Sequence, residues 1–319
     1  MKVSVAMATY NGGPYLAAQL ASLRRQDRLP DELVISDDGS VDETEQIAKD
    51  FAATAPFPVI WLRNPGRPGY HRNFDYALSA TIGDVVLLAD QDDVWLEQHV
   101  SRLTAPFADN AKLMVTVGDS QQMDATGYVP GETMRQNEGL TPARLRATNL
   151  ARGRAQFRAV LSRRAVIGHN LALRRQVLEI ASPLPSAWRH DHWIFLIGAA
   201  MGEVLYVDEV ISRFREYSRQ VPGQEYPRGP SDSIGGPFLG ATAKLGRSNP
   251  GASTELIRWQ NLQTRLTYSR SLLPEPGGII QDVARKARLI SFRTAVRRRP
   301  VSLRAVRALP WRLAGRYRR

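Results

Sequence analysis

Residues 72–95 read RNFDYALSATIGDVVLLADQDDVW. Residues 73–80 read as a helix, and 85–89 as a continuous apolar strand of the kind buried on both faces. The chain then turns abruptly polar at Asp90-Gln91-Asp92-Asp93. The same alternation runs back to the first residue. Residues 3–8 read as a buried strand, and 15–24 carry helical spacing in Leu16, Leu20 and Leu23. A short strand at 33–36, a helix over 41–53 and a strand at 59–62 follow. Strands separated by helices imply parallel pairing with right-handed crossovers, hence a doubly wound α/β layer. In such sheets ligands bind outside the carboxyl ends of the strands. Those ends carry Thr9-Tyr10-Asn11-Gly12, Ser36-Asp37-Asp38-Gly39-Ser40 and the acid run at 90–93. One acidic strand end is ordinary loop solvation. Several on one edge suit a cation, sugar hydroxyls or base amides.

Beyond residue 95 the pattern is mixed. Residues 113–117 read as a strand, and 142–161 as an Arg-rich helix broken at Gly153. Residues 166–173 read as strand-like, 190–200 as an amphipathic helix, and 204–207 as a strand. Residues 222–250 are dense in Gly, Pro and Ser and read as a long loop or lid. Residues 254–273 read as a helix with Leu256, Ile257, Leu262, Leu266 and Leu273 on or near one face.

The 319 residues include no cysteine, which excludes disulfides, thiolate metal sites and cysteine nucleophiles. The formal net charge is +12, and it is unevenly placed. Residues 279–319 hold thirteen Lys or Arg against the single acid Asp282, so the rest of the chain is neutral. A neutral body argues against a nucleic-acid partner. No leader-like segment or span of 18 apolar residues is visible, the longest apolar run being 194–202. GxGxxG after a strand, GxxxxGK[ST], HExxH and GxSxG are all missing, which argues against dinucleotide oxidoreductases, P-loop enzymes, zincins and serine hydrolases. His190-Asp191-His192 is a poor joint chelate, because adjacent helical residues point in different directions.

The combination VSVAMATYNG, ELVISDDGSVDET and RNFDYALSATIGDVVLLADQDDVW resembles the start of a family 2 glycosyltransferase. The likeness resumes at IGHNLALRR and at HDHWIFLIGAAMGEVLYVDEVISRFR over 190–215, and is strongest to bacterial rhamnosyltransferase-like members. It implies an inverting enzyme with an α/β GT-A fold: a Rossmann-like nucleotide-sugar-binding layer with a mostly parallel central sheet, plus a helical basic C-terminal extension. The expected division is a catalytic domain at 1–220, a Gly/Pro-rich loop or lid at 221–252 and a helical region with a basic tail at 253–319.

The resemblance also implies roles. Thr9, Tyr10 and Asn11 would hold the base, with Asp38 accepting from a pyrimidine N3–H. Asp37, Asp38 and Ser40 read equally well as a cap cluster for the next helix, a job open to Ser40 or Asp42 as well. Asp90-Gln91-Asp92 resembles the family's metal-binding acid motif. Residues i and i+2 of a strand share a face, so Asp90 and Asp92 can converge. Asp92 is expected on a divalent cation (Mg2+ or Mn2+) and Asp90 towards the ribose, while Asp93 would cap a helix starting at Val94. Asn73, Gln91 and Arg215 complete the expected nucleotide-sugar-binding set. Asp191 is the expected general base, since attack by an acceptor hydroxyl needs its proton removed; an acid at a helix N-terminus is also a structural commonplace. Trp193 reads as a sugar-stacking platform or a core aromatic. The family's usual histidine in a YRxHxxN-like segment is replaced by Tyr217, leaving Arg215 or Arg219 to neutralise phosphate.

The implied partners are a dTDP- or UDP-sugar donor, carrying rhamnose or another hexose, and a glycan or lipid-linked acceptor. Residues 279–319 interleave arginine with apolar residues and read as short amphipathic pieces divided by Pro300 and Pro310. That suits an anionic membrane surface, with an inert tail or a nucleic-acid contact as alternatives. The expected location is cytoplasmic, peripheral at the inner face of the plasma membrane. Two rival classes are a sugar nucleotidyltransferase, whose Gly-rich GxGxR-like loop MATYNGG does not match, and a non-enzymatic basic binding protein, whose charge should pervade the fold.

Overall fold

The structure is a computed structural model that describes residues 1–127, 129, 133–137, 139–161, 168–216 and 251–298. The segment 222–250, Tyr217, Arg219 and the end of the basic tail lie outside these residues, as do 162–167.

The amino-terminal layer alternates β1 (Val3–Thr9), α1 (Gly13–Arg24), β2 (Glu32–Asp37), α2 (Thr44–Ala52), β3 (Val59–Arg63), α3 (Tyr70–Ala80) and β4 (Val85–Asp90). Then come β5 (Val94–Trp95), α4 (His99–Thr104), α5 (Pro106–Asp109), β6 (Leu113–Met123), α6 (Met134–Asn137), α7 (Pro142–Leu150), α8 (Gly153–Leu161), β7 (Leu171–Arg174) and α9 (Leu178–Ala181). The chain continues through α10 (His190–Met201), β8 (Glu203–Arg215), α11 (Gly251–Tyr268) and α12 (Pro276–Arg298).

One sheet has the order β3-β2-β1-β4-β7-β6-β8-β5. The first four strands are parallel, as the strand–helix alternation predicts. β7 enters antiparallel to both β4 and β6, β6 runs parallel to β8, and β5 pairs antiparallel with β8. Alternate strand residues face opposite cores. Val3, Val5, Met7, Leu33, Ile35, Val85 and Leu87 pack on one side. Ala6, Val34, Val86 and Leu88 pack on the other, with Phe157, Trp193, Leu262 and Val283.

Several local expectations change. Val94–Trp95 is a strand, so Asp93 caps no helix. β6 and β8 run well past the apolar stretches at 113–117 and 204–207, because pairing of Gln121, Gln122 and Met123 with Arg213, Phe214 and Arg215 extends the ladder through polar residues. The 142–161 helix is two, α8 starting at Gly153 with φ of 51°. α10 is enclosed nearly all round rather than amphipathic. Gly198 lets it lie on β6, where a Cβ would collide with Val115.

The carboxyl-terminal region is helical, as expected, and α12 runs unbroken from Pro276 to Arg298, just before Pro300. Ile279, Val283, Ala287 and Ile290 are buried in the same core as Trp259, Leu262 and Leu266 of α11. Arg285, Arg288 and Leu289 face outward. Asp282, the one acid of the basic stretch, is buried and paired with Arg154 of α8 at 2.7 Å. The Arg154 hydrogen bond holds the Asp282 carboxyl below the usual aspartate range, against the opposing effect of burial. Among the described residues no helix is long and apolar enough to cross a membrane.

Because the folded carboxyl is depressed, the pair's stabilisation is present above the unfolded aspartate value and is lost as pH falls through the folded one. Asp282→Asn should cost about 1–2 kcal/mol at pH 7, the half-exposed Arg154 limiting the figure. The difference should vanish at low pH, as urea denaturation at both pH values would show.

Candidate active site

The carboxyl ends of β1, β2 and β4 are stitched together by their own polar side chains. The Thr9 hydroxyl donates to the Asp37 carboxylate at 2.9 Å. Asn11 sits in the left-handed region at φ 47°, a conformation Asn tolerates well. Its amide donates to the Ser40 hydroxyl at 2.8 Å, and its side-chain oxygen accepts from the Val41 amide at 3.0 Å. Gln91 clamps the backbone of Tyr10, accepting from its amide at 2.9 Å and donating to its carbonyl at 3.1 Å. This clamp spans β1 and β4, where the strand order reverses and ligand crevices open.

Asp38 accepts from the Asn64 side chain at 2.6 Å and from the Gly69 amide at 2.8 Å, so it organises the loop leading into α3. Asn73 is fully enclosed, accepting from the Ser36 hydroxyl at 2.5 Å and donating to the Thr9 carbonyl at 3.0 Å. It clamps β1 to β2 beneath the crevice. The cap reading does not hold: α2 begins after Glu43 and takes no side-chain cap hydrogen bond. Asp42 instead accepts from the Thr44 amide at 3.1 Å and from the Gly13 amide at 2.9 Å, and Asp37 from the Gly39 and Ser40 amides, so both shape the turn before the helix.

β4 ends at Asp90 and the chain turns at once, so the strand rule that would align Asp90 with Asp92 does not apply. Asp90, Asp93 and His169 converge instead, their ligand atoms within 4.8 Å of one another. His169 Nδ1 lies 3.2 Å from Asp93 Oδ2 and 3.9 Å from Asp90 Oδ2. Its Nε2 lies 2.5 Å from the Ser120 hydroxyl, which also meets Ser212 at 2.8 Å and accepts from Asn170 at 2.5 Å. Phe214 stacks on the imidazole at 5.1 Å. Burial drives His169 down to about 3, so the ring is neutral.

Burial and the charges of Asp92 and Asp191 push Asp90 up to about 7. Burial, Asp92 and Asp90 push Asp93 well above the usual range. Asp93 Oδ2 is buried and receives no well-aligned hydrogen bond. Crowded carboxylates, an orphaned oxygen and a neutral imidazole together fit a divalent cation.

Arg215 brackets this turn. Its amide donates to Asp93 at 3.1 Å, and its guanidinium to the carbonyls of Asp92 at 2.9 Å and Ala125 at 3.0 Å. The guanidinium carbon also lies 4.8 Å from the Tyr15 ring centre.

Asp191 opens α10 with no accessible surface. Arg189 donates to one carboxylate oxygen at 2.6 Å and the His192 amide to the other at 2.6 Å. Burial raises its pKa, but the Arg189 charge, with smaller help from His190 and the His192 amide, more than offsets this, leaving the carboxyl below its usual value. Around it lie Tyr70, pushed up to about 12 by burial and by Asp191, and His190, pulled down to about 4 by burial. His190 stacks on Phe74 at 4.0 Å. Trp193 is a core aromatic, its indole nitrogen donating to the Ala181 carbonyl at 2.8 Å. Among the described residues, 190–192 form no ligand cluster.

Sequence reading left out Asp93, His169, Arg189 and Tyr70 as site residues. Asp93 and His169 stood inside quoted motifs, and Arg189 immediately before one. Nothing in the sequence signalled Tyr70.

Residues 4–180 match the family model described as Glycosyl transferase family 2. An uncharacterized glycosyltransferase of Nostoc sp. is 28% identical over 220 residues, covering 67% of this chain and 65% of the relative. The poly(ribitol-phosphate) beta-N-acetylglucosaminyltransferase TarS of Staphylococcus aureus is 37% identical over 112 residues, 34% of this chain and 19% of TarS. The crystal structure of TarS 1-349 with UDP-GlcNAc superposes with a TM-score of 0.52 at 19% identity, covering 83% of this chain and 66% of that one. The mannosyltransferase of Pyrobaculum calidifontis, solved with GDP-Man and Mn2+, gives 0.53 at 17% identity over 98% of this chain and 79% of its own. The chain therefore spans less than two thirds of the length of these two sequence relatives. The fold is GT-A, and with more than half its length inside the family model the chain belongs to Glycosyl transferase family 2.

Proposed function

We propose that the protein transfers a sugar, with inversion at the anomeric carbon, from a nucleoside-diphosphate sugar to a hydroxyl of a glycan or lipid-linked acceptor in cell-surface glycan synthesis. The observation that carries this reading is the pairing of two opposite electrostatic solutions at one sheet edge. Asp191 is buried yet held ionised by Arg189, while Asp90 and Asp93, within reach of one another and of His169, are held above the usual carboxylate range. The first is a group ready to take a proton. The second is a site whose crowded carboxylates suit a cation.

The steps follow from these residues. An acceptor hydroxyl attacks the anomeric carbon from the face opposite the diphosphate, and Asp191 takes its proton as the new C–O bond forms. The C–O bond to the diphosphate breaks, and the leaving group carries away the electron pair. Asp90, Asp93 and His169 would hold Mg2+ or Mn2+, with Asp92 of the same turn as a further carboxylate, and a cation there would neutralise the departing diphosphate. His169 offers the imidazole that Tyr217 does not. Thr9, Tyr10, Asn11, Asp38 and Gln91 shape the nucleotide end, with Asn73 beneath them. Arg215 keeps the acid turn in place.

A dTDP- or UDP-sugar donor, of rhamnose or another hexose, rests on the sequence resemblance and on Asp38. The TarS structure contains UDP-GlcNAc. The membrane reading rests on 279–319, whose described part exposes Arg285, Arg288 and Leu289 on the outer face of α12. Lys and Arg near anionic lipid contribute about 1 kcal/mol each.

Asp191→Asn should lower kcat by about 10²-fold or more with little change in donor KM. Persistent turnover on a panel of nucleotide sugars would overturn the base assignment. Arg189→Met removes the charge that holds Asp191 down, so the acidic limb of the pH–kcat profile should move to higher pH. Chelation should abolish turnover and Mn2+ restore it, and Asp90→Asn should weaken calorimetric Mn2+ binding about tenfold or more. Arg285→Glu with Arg288→Glu should reduce co-sedimentation with phosphatidylserine vesicles; unchanged pelleting would remove α12 from the membrane reading.

A further inference from the structure

We infer that α11 is a strut that positions Asp191, with Arg265 as its principal positioning residue. This rests on the reading of Asp191 as the base.

The link between α9 and α10 has no helix or strand of its own, so its carbonyls need partners from elsewhere. Two arginines of α11 supply them. Arg265 donates to the carbonyls of Ile180 at 2.8 Å, Ser182 at 2.7 Å and Pro183 at 3.0 Å. Arg258, two turns earlier on the same helix face, donates to the Ala187 carbonyl. The contact is reciprocated, since the Trp188 indole donates to the Arg258 carbonyl at 3.0 Å.

Aromatic packing continues the brace into α10. Trp188 meets Trp259 edge-on at 5.3 Å, Trp193 at 5.9 Å and His192 at 5.3 Å. The Arg265 guanidinium stands 5.5 Å from the Trp193 ring. Arg189 and Asp191 thus emerge from a segment whose backbone and side chains are gripped from one helix. From the body, the Leu184 amide donates to Asp75 at a longer 3.3 Å. α11, like Asp191 and α10, lies beyond the residues matched by the family model.

Releasing these carbonyls would let the segment sample other conformers. A displacement of about 1 Å at a reacting group costs about 10²-fold in rate. Loss of Arg265 should therefore act on kcat and leave donor binding alone.

The experiment uses the full chain with Arg265→Ala, Arg265→Lys and Arg258→Ala. Amide hydrogen exchange over 182–193 should rise in Arg265→Ala while β1 and β4 stay protected. With the donor that the wild type turns over, kcat should fall about 10²-fold, donor KM should stay within about twofold, and the acidic limb should move to higher pH as the Arg189–Asp191 pair loosens. Arg265→Lys should recover part of kcat. Unchanged exchange over 182–193, or raised exchange with kcat and pH profile unaltered, overturns the strut. Should Arg265→Ala unfold, the same exchange and kinetic criteria apply to Arg258→Ala. A wild type inert towards every nucleotide sugar would remove the proposed function, and the exchange result would still decide whether α11 orders the segment.

Discussion

Carboxylates crowd the carboxyl edge of this sheet, and the site is organised by how each one is stabilised. A buried carboxylate must be hydrogen bonded, paired or protonated. Asp37 and Asp42 take backbone amides and neighbouring hydroxyls, and so become part of the scaffold, while the Gly69 amide and the Asn64 side chain hold Asp38 in place. Asp191 takes a guanidinium and stays ionised. Asp90 and Asp93 have a neutral imidazole and each other, with one Arg215 amide on Asp93, and are pushed upward. The same residue type is structural, basic or cation-seeking according to the partner that the fold delivers.

Those partners arrive from distant elements. His169 comes from just before β7, Arg215 from the end of β8 and Arg189 from the approach to α10. The antiparallel entry of β7 between β4 and β6 is what brings His169 to Asp93. Ser120 of β6 and Ser212 of β8 then fix the imidazole from behind. The second half of the sheet, which shows no clean alternation in the sequence, thus completes the edge that the first half begins.

The carboxyl-terminal helices extend this dependence. Their apolar faces enter the core, with Asp282 locked to Arg154 and Arg265 taking carbonyls at the end of α9. The excess charge seen in the sequence therefore belongs in part to a packed helix with a defined outer face. Arg285 and Arg288 belong to the surface left after Ile279, Val283, Ala287 and Ile290 have been buried.

What the sequence alone determined is local in origin. Apolar runs of strand length, helical spacing between them and polar residues after β1, β2 and β4 were legible because period and polarity are carried by neighbours in the chain. Asp90, Asp92 and Asp191 could be singled out because the resemblance to family 2 glycosyltransferases marked them. The tertiary structure alone decided that the chain turns after Asp90, that Asp93 and not a helix cap faces His169, that Asn73 and Gln91 are clamps, and that α12 is docked. Each depends on contacts between residues far apart in sequence, where packing and burial override any local pattern.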